Sequence, residues 1–133
     1  NFMKKMMRRV YLFMVIFLAG FGLEAKNQSF NKIFVCISFS LPDQTLKSYF
    51  HQAQEIGAHL VMRGLYKNSF QATKEKMEDL KINVLVDPNI FESFAVKVVP
   101  TVVALQDKTA FLISGNVSLK IALEQIVEEN ASQ

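Results

Sequence analysis

A proline inside the most β-branched run of the chain sets the first limit on its fold. In "FAVKVVPTVVAL", Phe94 to Leu105, Pro100 interrupts a stretch that otherwise reads as a buried strand. Proline has no N–H to give to a sheet ladder, so interior strand positions exclude it. Pro100 must therefore stand where a strand begins, at an edge or at a bulge. Any fold for this chain has to supply a reason for a proline at that mouth.

The first residues obey a different logic. "MKKMMRR" (Met3 to Arg9) is basic, "VYLFMVIFLA" (Val10 to Ala19) is uncharged and apolar, and "GFGLEA" ends on the small residue Ala25. That order predicts a secretory signal peptide over residues 1–25, hence export to the periplasm. The apolar stretch is shorter than the roughly 20 residues that span a bilayer, and an uncleaved N-terminal anchor is the alternative. Residues 26–133 then have the size of one domain.

Removing the signal changes the charge argument. Of the 15 Lys+Arg, Lys4, Lys5, Arg8 and Arg9 precede the cut, as does Glu24 of the 12 Asp+Glu, which leaves 11 of each. The domain is formally neutral, although the whole chain is +3. A nucleic-acid binder keeps a basic excess on its folded domain, so that class is disfavoured. Cys36 is the single cysteine, and no internal disulfide can form even in an oxidising compartment.

The rest of the chain alternates between two periods. "KIFVCISFS" (Lys32 to Ser40) reads as a strand buried on both faces. Leu46, Tyr49, Phe50 and Ala53 then recur at helical spacing up to Gly57. "AHLVMRG" is a second strand, and "SFQATKEKMEDLK" a helix capped by Ser69 with Phe70, Thr73, Met77 and Leu80 on one face. "NVLVDP" gives a third strand, closed by Asp87 as N-cap and Pro88 at the first position of a short helix. "TVVALQ" and "TAFLIS" flank Asp107-Lys108 as an antiparallel hairpin. A last helix from about Ser118 buries Leu119, Ala122, Leu123 and Ile126. Strands alternating with helices at the front and a hairpin at the back predict an α/β fold with a mixed sheet flanked by helices.

A proline between a short helix and an apolar strand, followed by a hairpin and a terminal helix, resembles the second half of the thioredoxin fold. The resemblance implies a cis bond before Pro100 of "VVPT" and a backbone at Val99 left free to pair with a visiting polypeptide. The redox motif of that fold falls on "SLPD", Ser40 to Asp43, where both cysteine positions lack a thiol. Thiol–disulfide exchange needs a thiolate and a partner, so no catalytic residue is expected.

"ISFSLPDQTLKSYFHQA", "HLVMRGL" and "VLVDPNIFESFAVKVVPTVVAL" together resemble the TrbC family of type-F conjugative pilus assembly proteins, over roughly Ile33 to Val127. The resemblance implies an exported, thioredoxin-like component of a type IV secretion system. Its partners would be other envelope proteins of the conjugation apparatus, the TraW family in particular.

The candidate partner-binding residues are Ser40, Leu41, Pro42, Val99, Pro100, Thr101 and Arg63. Each has a plainer reading. Ser40 and Asp43 have the spacing of a capping box, with Asp in place of Glu or Gln. Pro100 can be a strand-start device alone. Arg63 can be a solvated strand end or can pair with Asp87. Phe39 and Phe111 are the phenylalanines that fit no core face. His51 and His59 have no second ligand at recognisable spacing, so neither a metal nor any cofactor is expected. Two rival functions remain: a thiol–disulfide oxidoreductase or isomerase using Cys36 alone, and a holdase-type chaperone for exported pilin.

Overall fold

β1 (Lys32–Cys36) is the hub of the molecule, because three residues in a row, Val35, Cys36 and Ile37, have almost no exposure and need cover on both faces. The structure, a computed structural model, describes residues 30–131. The expected signal peptide, residues 1–25, lies outside them. After β1 come α1 (Asp43–Ile56), β2 (His59–Met62), a 3₁₀ turn (Tyr66–Asn68), α2 (Phe70–Leu80), β3 (Leu85–Val86) and α3 (Pro88–Ser93). β4 (Thr101–Gln106), β5 (Thr109–Ser114) and α4 (Leu119–Ala131) complete the domain.

The sheet order is β3-β2-β1-β4-β5. β1 is parallel to β2, and β2 to β3, whereas β4 runs antiparallel to both β1 and β5. The fold is therefore α/β with a mixed five-stranded sheet, as the alternation of periods predicts. One face of the sheet presents Phe34 and Cys36 of β1, Val61 of β2 and Val103 of β4 to Phe91 of α3 and to Val96. Strand alternation sends Val35 and Val102 to the other face. There α1 buries Leu46, Tyr49 and Ala53, and α4 buries Leu119, Ala122, Leu123 and Ile126.

The register explains Pro100. Cys36 opposite Thr101 is the last pair of the β1–β4 ladder, and Pro100, one residue further out, turns its main-chain groups to β5, where the N–H it lacks would have met Gly115. The amide of Ile37 continues the parallel ladder to β2, donating to Val61 O at 2.8 Å. Pro100 O accepts from Gly115 N–H at 3.0 Å, so that pair keeps one bond of two and the proline heads the strand at the cost of a single donor. The Val99–Pro100 bond is cis.

Helix ends are fixed by side chains at three places. Ser69 Oγ accepts from Ala72 N–H at 3.0 Å and Asp87 Oδ1 from Asn89 N–H at 3.0 Å. At the start of α4, Ser118 Oγ accepts from Ile121 N–H at 3.2 Å and Gln52 Oε1 of α1 from Leu119 N–H at 2.7 Å. Gly57 closes α1 with a left-handed φ of 76°, donating to Ala53 O.

Four expectations need correction. The first strand ends at Cys36, not Ser40, because the ladder to β4 stops at Pro100. The third is two residues long, and Leu85 and Val86 are both exposed, since β3 is an edge strand. Phe70 is 75% exposed, outside the face that buries Thr73 and Leu80; it stands at the first position of α2, where the helix is not yet covered. Phe39 is buried, packed edge-on against Tyr66 with ring centroids 5.4 Å apart, while Phe111 is half-buried on β5.

Candidate functional site

Three chain segments meet where β1 and β2 end and β4 begins: residues 37–40, 62–67 and 96–99. They enclose a cleft of about 610 Å³. Its floor is apolar, from the buried side chains of Ile37, Phe39, Met62, Phe91 and Val96. Val98, 56% exposed, and Leu65, 38% exposed, extend that apolar surface onto the rim.

The site follows from the strand ends described above. Beyond Pro100 the chain has no ladder to join, and Val99 is held by its side chain, which packs against the core cluster around Phe91 and Val96. Among the described residues neither its N–H nor its C=O has a hydrogen-bond partner. Val99 is half-buried, so the unpaired groups stand at the cleft wall. An unpaired main-chain donor and acceptor beside apolar side chains is what an extended polypeptide needs in order to add itself to a sheet.

The turn after β2 is stiff. Tyr66 N–H donates to Thr73 Oγ1 at 2.8 Å, and Asn68 and Ser69 donate back to Leu65 and Tyr66. Lys67 and Asn68 are both left-handed, with φ of 53° and 55°, a conformation that strains any residue with a Cβ. The Lys67 ammonium lies 5.2 Å from the centre of the Tyr66 ring.

Arg63 corrects both of its readings. It is neither simply solvated nor paired with Asp87, whose carboxylate caps α3. Its Nη2 donates to Val96 O at 3.0 Å, and the guanidinium sits 5.0 Å over the Phe91 ring. Cation–π contact and one hydrogen bond hold it at the exposed rim.

The capping box is also corrected. Pro42 is the N-cap residue of α1, and no side chain bonds to the helix amides there. Ser40 Oγ lies 2.9 Å from Ser38 Oγ, and the Ser40 amide donates to that same oxygen at 3.1 Å. A second serine two residues earlier captures the group that would have capped. Asp43, instead of completing a box, binds Lys76 of α2 at 3.1 Å.

Of the predicted residues, Ser40, Arg63 and Val99 line the cleft together. Leu41, half-buried, and Pro42, exposed, lead from Ser40 into α1 and do not line it. Pro100 and Thr101 are buried behind Val99. Thr101 Oγ1 donates to Val98 O at 2.7 Å and lies 2.8 Å from Ser114 Oγ, so its hydroxyl is committed to holding the loop. Sequence reasoning missed Val98, Leu65, Lys67 and Lys97. An apolar residue just before a predicted strand, and the residues after a strand-terminal Gly64, were the available signals.

The thiol is remote from this chemistry. Cys36 is fully buried in β1 and does not line the cleft, and burial pushes its pKa from 9.0 up to about 11. Reactive cysteines have the opposite properties, exposure and a lowered pKa. Among the described residues no histidine or carboxylate lines the cleft, so none of them stands beside Ser40 as a base. Among the described residues no group of three or more His, Cys, Asp or Glu is placed to hold a metal. No helix among them is long and apolar enough to cross a membrane.

Comparison with known proteins adds two findings. A sequence model of the type-F conjugative transfer system pilin assembly protein family matches residues 33–126. The periplasmic protein TrbC of Escherichia coli (strain K12) is 27% identical over 95 residues, which cover 68% of this chain and 45% of that relative. The chain thus spans less than half the length of the relative it matches.

Proposed function

The chain belongs to the type-F conjugative transfer system pilin assembly family, and from that premise we propose that it is a periplasmic, non-catalytic docking module with a thioredoxin-like architecture. The observation that carries the reading is the unpaired backbone of Val99 on the wall of an apolar cleft that holds no thiol. A partner segment lies extended along Val99 and places its side chains over Phe91 and Val98. Ser40 and Arg63 bound the path on the other side, Leu41 and Pro42 carry the contact surface from Ser40 toward α1, and Pro100 and Thr101 fix the loop from behind. The mixed sheet with a proline at the head of β4 supports the thioredoxin-like description. The periplasmic location of the relative and the predicted signal over residues 1–25 support export. The partners are envelope proteins of a conjugation apparatus, the TraW family first among them.

In-cell photocrosslinking from positions 41 and 98, with the adducts identified by mass spectrometry, tests the reading. One discrete envelope protein trapped from position 98 is the expected result. A smear of unrelated exported proteins replaces docking by a holdase role, and no adduct from either position sinks it. The thiol rival is tested by Cys36→Ala in a strain that transfers DNA. Transfer is expected to follow the stability of the variant, and loss of transfer in a stably folded variant would restore a redox role.

A further inference from the structure

The cleft carries a charge pattern that the composition of the domain does not predict. Residues 26–133 hold equal numbers of acids and bases. The cleft lining nevertheless contains Arg63, Lys67 and Lys97 and, among the described residues, not one Asp or Glu. All three cations are exposed, and none makes an ion pair among the described residues. Lys76, by contrast, is already neutralised by Asp43 just outside the lining.

The three cations come from two segments and are held differently. Arg63 is pinned by Val96 O and the Phe91 face, so a guanidinium stands ready at the edge of the apolar floor. Lys67 is carried by the strained turn and rests against Tyr66. Lys97 is one residue from Val98 and two from Val99, beside the unpaired backbone. An extended segment paired with Val99 therefore runs past cations while its alternate side chains meet the apolar floor.

We propose that the cleft selects an extended polypeptide segment whose apolar side chains alternate with carboxylates, with Arg63 and Lys97 as its acid-reading residues and Lys67 as a supporting charge. The proposal rests on the docking reading above and adds the chemistry of the occupant. Arginine binds carboxylates bidentately. Complementary charge around an apolar contact sets partner choice and association rate more than affinity. Three like charges with no acid among them also repel basic segments, which excludes wrong partners.

The test uses the purified chain and a library of random linear decapeptides with amidated C-termini, so that only side-chain carboxylates can answer. Selected peptides are expected to carry Asp or Glu next to apolar residues. Replacing those acids by Gln or Asn should weaken binding at least tenfold at low salt, with the ratio shrinking in 0.5 M salt as screening predicts. The Arg63→Gln/Lys97→Gln double variant should bind the acidic and the neutral peptide equally. Selected peptides without acids, or indifferent to Glu→Gln, overturn the charge inference. Docking still stands in that case if amide shifts on peptide addition centre on Val99. If no peptide is enriched, the inference falls, and crosslinking from position 98 alone decides the docking reading.

Discussion

Two helices of this protein begin at a proline, and they begin in opposite ways. At Asp87-Pro88 the aspartate accepts from Asn89 N–H and the proline occupies a position that needs no donor, so the start of α3 is complete within its own sequence. At Ser40-Leu41-Pro42-Asp43 the hydroxyl turns back to Ser38, Pro42 offers no side-chain acceptor and Asp43 reaches for another helix. The first start delivers Phe91 to the core, whereas the second leaves Ser40 on the wall of a cleft. A side chain already committed to a cap cannot serve a surface, and one that is released can. Local completeness here marks structure, and local incompleteness marks the candidate site.

Four substitutions break or sharpen that contrast, each read as a shift in urea unfolding. Phe91→Ala removes what the capped start delivers, a buried ring under the Arg63 guanidinium, and should cost about 3–5 kcal/mol. Asp87→Ala removes only the cap and should cost about 1 kcal/mol. Asp43→Asn cuts an exposed ion pair, so the expected loss is under about 1 kcal/mol and vanishes in high salt. Ser40→Ala should change stability by less than about 0.5 kcal/mol, because no helix amide depends on its hydroxyl. A Ser40→Ala loss as large as that of Asp87→Ala would mean that the two starts are alike and the contrast is false.

Most elements were legible in the residues because their determinants are local. β4 and β5 run as the apolar runs on either side of Asp107-Lys108 predict, and α4 buries the four residues its spacing assigns. The Ser69 and Asp87 caps hold because each oxygen meets an amide two or three residues on. Errors gathered where two local choices compete or where a distant strand decides. Ser40 could bond forward to Asp43 or back to Ser38, and the sequence pattern favours neither. Arg63 found Val96 O and Phe91, 33 and 28 positions away, so no reading of "HLVMRG" could reach those partners. Phe39 lies buried because the turn after β2 brings Tyr66 against it.

The sequence by itself determined that this is an α/β chain with a mixed sheet, that Pro100 heads a strand and that no redox pair stands at the start of α1. These follow from residue types at fixed short spacings: period, a missing N–H, a missing thiol. Only the tertiary structure decided that the β1–β4 ladder stops at Cys36 and that, among the described residues, Val99 is left unpaired and three cations share one cleft with no acid. Those facts depend on which strands lie side by side and on which loops meet at their ends. Both are set by the packing of helices on the two faces of the sheet, over distances along the chain that no local pattern spans.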